Sequence, residues 1–252
     1  FQTTFLDLDN SQYGPHVLVE MAAHENRHAM QHRNPALDPF RMANPRDALG
    51  LTYIIEADAS AHQLAVAWQR EQAGHQGAWN PARFGEDTPY FAMAKAFEGV
   101  MDKAAAQGDG LENQPQTLRK AMAASFHAWF ADENRREFYA RNALAGYQKT
   151  QILNKGAYGD DTSWQRNMPR PEQLVGLTGH VAGDSSGVAY LTPGDMRTAL
   201  DHVPKDYKAY GWADTFEAAK TSKAPPSAPI VPVLPSTEPE AAPAAKTALK
   251  PA

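Results

Sequence analysis

"VEMAAHENRHAMQH", residues 19–32, carries His24, Glu25 and His28 in the order H-E-x-x-H within an alanine-rich stretch. Leu18, Met21, Ala22, Glu25, His28, Ala29 and His32 recur at three- and four-residue steps, which predicts a helix over about 13–32. Residues four apart on a helix stack one turn apart on the same face. His24 and His28 can therefore each turn a ring nitrogen towards one ion, at roughly 2.0–2.1 Å. Glu25 stands about 100° further round the helix. From there its carboxylate reaches a water beside the ion more easily than the ion itself. Hydrolysis needs that pairing: a cation that acidifies water and a carboxylate that takes its proton. Leu18, Met21, Ala22, Ala23 and Ala29 are expected to form the core side of this helix.

A catalytic zinc takes three protein ligands and keeps one position open. The chain has no cysteine, so the donors must be imidazoles and carboxylates. "YIIEADASAHQLAVA" (53–67), within a second helix predicted over 51–72, offers Glu56, Asp58 and His62. Glu56 shares its face with Ala59, Ser60, Gln63 and Ala67, small or polar residues that let this helix approach the first. Asp58 points about 200° away and reads as a hydrogen-bond partner behind a ligand ring, or as an alternative ligand. His32 lies two turns from His24, about 12 Å along an unbroken helix, too far for one ion. It is expected near the free carbonyls of the helix end. His16 and His62 read as packed or solvated side chains. Tyr53 and Arg27 stand near enough to serve a developing oxyanion, and the sequence assigns the role to neither.

"HENRHAMQ", followed 28 residues after His28 by "EADASA", resembles the zincin superfamily in its gluzincin-like branch. It is similar, more closely, to bacterial metallopeptidase-type domains of unknown function. The resemblance covers residues 3 to about 70. It implies a zinc cofactor held by His24, His28 and Glu56, with Glu25 as general base and a peptide or protein as substrate. Zincins carry a small sheet before this helix, whose edge strand holds the peptide. Here "TTFLDLD" (3–9) is the one strand expected before it, so the sheet is expected to be minimal and truncated. The alternative reading is a catalytically inactive metal-binding or interaction module of a phage, secretion or envelope system.

The rest of the sequence gives a mainly α, α+β chain of one domain or at most two. Its 252 residues are 42% hydrophobic and 21% charged, enough for a substantial core. A net charge of −5 with scattered Lys and Arg excludes a nucleic-acid stripe. No apolar run is long enough to span a membrane. The first residue is Phe1 and no secretion signal is legible, so a fragment or processed chain is expected, with the cytoplasm slightly favoured. Residues 33–50 and 75–89 read as loops. Helices are predicted over 90–107 and 115–153, the second broken near 131–134, with the charges of 129–147 facing water. Residues 154–190 read as Gly-rich and polar, with at most a brief strand at "GVAYL" (187–191). A last helix opens at Thr192 and Pro193. "GDGLENQP" (108–115) lacks a calcium-loop pattern, and no G-x-S-x-G occurs. A metallopeptidase domain over 1–215 is expected, with its motif core at 3–72 and a helical remainder at 88–215. A disordered Pro/Ala-rich tail over 216–252 follows, either a tether or a polyproline ligand for a partner.

Overall fold

Prolines set where most of the helices begin. The computed structural model describes residues 14–84, 88–108, 114–179 and 186–206, all within one compact unit, Phe1–Thr221. Seven helices lie in them: α1 (Pro15–Gln31), α2 (Pro45–Gln72), α3 (Pro89–Ala106), α4 (Gln114–Trp129), α5 (Glu133–Tyr158), α6 (Pro171–Val175) and α7 (Pro193–Asp201). Five start on proline, whose missing N–H costs nothing in a first turn. Side chains complete the ends: Asn44 accepts from the Asp47 N–H, Asp132 from Arg135, and Thr192 from Asp195.

Three Asx-Pro steps explain the segment between the first two helices. Asn34 and Asp38 accept from the N–H groups of Ala36 and Phe40, and each starts a short 3-10 turn, Pro35–Leu37 and Pro39–Arg41. At Asn44-Pro45 the same start continues into α2, which therefore begins six residues before the expected Leu51. The break before α5 falls where expected, and α5 continues past Leu153 to Tyr158. The sequence reading missed α6 altogether.

No β-sheet occurs among the described residues. A parallel bridge joins Met42 to Arg166, and "GVAYL" is not a strand; Tyr190 N–H donates to the Thr178 carbonyl. The strand expected at 3–9, most of "GDGLENQP" and the tail from 216 lie outside the described residues. No helix among the described residues is long and apolar enough to cross a membrane.

Helix α2 is the centre of the core. It buries residues on every side, from Leu49 through Tyr53 and Ile54 to Leu64, and packs on α1, α4, α5 and α7. Each fully buried aliphatic side chain there stabilises the fold by roughly 1.5–3 kcal/mol. Trp129, Phe126 and Phe130 close the α4 side. Gly50 admits α7: a Cβ there would lie 2.8 Å from Leu200 Cδ2.

Helix α1 overturns one expectation. Its buried residues are Glu20, Arg27 and Gln31, whereas Val19, Met21 and Met30 are exposed. It docks on α2 through its polar side.

Candidate metal centre

The α1–α2 contact brings His24, His28 and Glu56 together. His24 Nε2 and His28 Nε2 lie 3.0 Å apart, and each is 3.5 Å from Glu56 Oε2. Four ligands at 2.0–2.1 Å from a tetrahedral ion stand about 3.3 Å from one another. The three edges observed bracket that value, so these side chains fit a divalent ion. They form a cluster of His and Glu donor atoms close enough together to share one ion.

The partners behind the rings set their chemistry. Gln31 Nε2 donates to the Ile55 carbonyl at 3.0 Å and to Asp58 Oδ2 at 2.7 Å. Both partners are acceptors, so the amide must point its nitrogen at them and its Oε1 at His28. The His28 Nδ1, 2.8 Å from that oxygen, then carries the proton. The other ring nitrogen, Nε2, is left with a lone pair facing His24 and Glu56. A metal-binding imidazole uses this tautomer.

Burial alone would raise the Glu56 carboxyl, yet hydrogen bonds and charge from His24 and His28 outweigh it and hold the group at about 2. Burial likewise opposes the charged form of His28, but Glu56 and Gln31 raise it above its ordinary value. Two basic rings around one acid in this way can share a proton or a cation.

Asp58 touches neither ring. Its carboxylate takes two bonds from Arg27 (2.7 and 3.0 Å), one from Gln31 and one from Tyr190 Oη at 2.6 Å. The expectation of a ring partner is corrected by one step: Asp58 holds Gln31, and Gln31 holds His28. Arg27 is thereby committed to Asp58 and buried, and Tyr53 donates to the Arg136 carbonyl while packing on Trp129. Neither faces the centre. His32 is the C-cap of α1, its N–H bonded to the His28 carbonyl, and its ring lies at the rim of the cleft.

A cleft of about 390 Å³ opens over the cluster. His24, Glu25, His28 and Glu56 line it from α1 and α2; Tyr139 and Asn142 line it from α5. Tyr139 is the residue the sequence reading missed. It sits in a stretch expected to form an amphipathic helix with its charges facing water, and α5 does bury Ala140, Ala143, Leu144 and Tyr147. Burial, then the neighbouring Glu56, drives the Tyr139 hydroxyl above its ordinary value, so it stays protonated at neutral pH.

The described side chains that line the centre run from His24 to Ala143. Residues 9–159 match the model of a family described as "Putative metallopeptidase family (DUF6782)". The chain belongs to that family. No curated protein and no solved structure matches it. The DUF6782 match covers α1 to α5 and stops before Tyr190, which completes the bonding of Asp58.

His62, a turn beyond Asp58, has a buried Nδ1 without a hydrogen-bond partner. Burial first, and the Arg27 charge second, lower it to about 4 from 6.5. An unfolded chain takes up this proton near 6.5 and the folded one only near 4. Its contribution to stability is therefore complete above pH 6.5 and is lost as the pH falls from 6.5 towards 4. Between about pH 7 and about pH 4.5, the metal-free wild type should lose on the order of 2 kcal/mol more than His62→Gln. Urea unfolding at the two pH values measures it, and equal losses would show that His62 is not held neutral.

Proposed function

We propose that the chain is a zinc-dependent peptide hydrolase. The observation that carries this reading is the convergence of His24, His28 and Glu56, with Glu25 on the same cleft. Two imidazoles and one carboxylate are a donor set that suits zinc and leaves a position open. His24, His28 and Glu56 would hold the ion. Zinc, when bound, supplies a Lewis acid that polarises a carbonyl and lowers the pKa of water towards about 7. Glu25 takes the proton from the attacking water and passes it to the departing amine. Tyr139, kept protonated, donates to the carbonyl oxygen as it becomes negative. Gln31 keeps His28 in the tautomer that can bind.

Zinc content by mass spectrometry and cleavage of a peptide library test the assignment together. Glu25→Gln should retain zinc and lose cleavage by at least about 10²-fold. Equal cleavage by both proteins would overturn Glu25 as the base, no cleavage by either would leave an inert metal-binding module, and a purified chain that binds no zinc would remove the metal as well. Tyr139→Phe should keep zinc and lower kcat by about 10²–10³-fold, as loss of one oxyanion donor does; an unchanged kcat excludes it from the mechanism. Gln31→Ala should weaken zinc binding by about 10–100-fold in competition with a chromogenic chelator. An unchanged Kd would mean the ring needs no such support.

A further inference from the structure

The cleft has two ends of different chemistry. Along α5, Tyr139 stands beside Glu56, Ala143 follows one turn later, and Gly146 lies about 10 Å from Tyr139. At that far end the lining is Pro39, Phe40, Ile55 and Ala143. Its polar groups are already engaged. The Thr52 hydroxyl donates to the Ala48 carbonyl at 2.9 Å, the Ile55 carbonyl accepts from Gln31, and the Phe40 carbonyl accepts from Gln151 at 3.3 Å. With these engaged, the side chains of Pro39, Phe40, Ile55 and Ala143 offer apolar surface there.

Phe40 closes this end, and Gly146 allows it to. A Cβ on Gly146 would lie 2.6 Å from Phe40 Cε1 and 2.9 Å from Cζ. Glycine inside a helix is less favourable than alanine, and here it lets the ring rest against the α5 backbone. The turn that carries Phe40 is fixed from the other side as well: Arg41 Nε donates to the Trp164 carbonyl, and Arg166 N–H to the Arg41 carbonyl. The wall is held from both sides, and the whole cleft is near the lower end of the roughly 300–1,000 Å³ of ligand sites.

We infer that this end is a subsite for an aliphatic side chain next to the cleaved bond, and that Phe40, seated on Gly146, sets its depth. The inference rests on the zinc hydrolase reading, but its test reads binding and needs no turnover. The probes are the hydroxamates of N-acetyl-glycine, N-acetyl-leucine and N-acetyl-phenylalanine, titrated into the zinc-loaded full chain. The leucine compound should bind at least about tenfold more tightly than the other two, since single methylenes in such pockets are worth about tenfold or more. Phe40→Ala should open the end wall and shift the phenylalanine-to-leucine ratio by at least about tenfold towards phenylalanine. Phe40→Leu, which keeps an apolar side chain on the core, should shift it the same way by less and serves if the alanine variant does not fold. Alike binding of the three compounds to the wild type, or a ratio unmoved in a folded, zinc-loaded Phe40 variant, overturns the inference. Failure of the hydrolase reading looks different: no bound zinc, or cleavage indifferent to Glu25→Gln.

Discussion

Asp58 keeps a charge where almost no water reaches it, at 1% exposure. Removing a carboxylate from water costs several kcal/mol unless it is paired and each oxygen is hydrogen-bonded. Both oxygens here are served twice, by Arg27 on each, by Gln31 on one and by Tyr190 on the other. Taking away one partner of such a pair generally costs about 3–5 kcal/mol. The arrangement therefore has very little freedom, and α1 inherits the restriction. Arg27 and Gln31 are four apart on one face of α1; His24 and His28 are four apart on the adjoining face. Once the first pair is fastened to Asp58, rotation of α1 about its axis is fixed. The second pair is then aimed at Glu56, two residues before Asp58 on α2.

This explains why α1 turns its polar side inward. A helix of ordinary pattern buries its apolar stripe and can roll by tens of degrees at modest cost, because hydrophobic contact has no direction. Hydrogen bonds have direction. A cluster of donors that must meet within a few tenths of an ångström is better held by Arg27 and Gln31 than by Val19 and Met30, and those two are the residues left outside. The chain gains position at the centre and gives up apolar burial on α1, which α2 supplies instead.

The same contrast marks what could be read from the sequence. The clustering of His24, His28 and Glu56 was legible because helical spacing puts the two imidazoles on one face, and the small residues around Glu56 pointed to close docking. The α4–α5 break was expected near 131–134, where the structure has Asp132 capping α5. The inward face of α1 was not: Arg27 looks like a solvated charge until its partner, 31 residues away, is known. Nor was Tyr190, 132 residues from Asp58. Tyr139 was hidden because its charged neighbours on α5 dominate the local pattern. The early start of α2 could have been found, since Asn44-Pro45 followed by Asp47 is a helix start rather than a breaker.

Among the described residues, none beyond the family match lines the cleft, but two places after 159 bond to groups beside it. Tyr190 closes the bonding of Asp58 behind His28, and the Trp164 and Arg166 backbone fastens the turn that carries Phe40. Neither contact adds a group to the cleft. Each removes a freedom that the lining residues could not remove for themselves: the orientation of Gln31 at one end and the position of an aromatic ring at the other. Residues 9–159 thus carry the described side chains that line the cleft, and segments between the later helices hold Asp58 and the Phe40 turn from outside it.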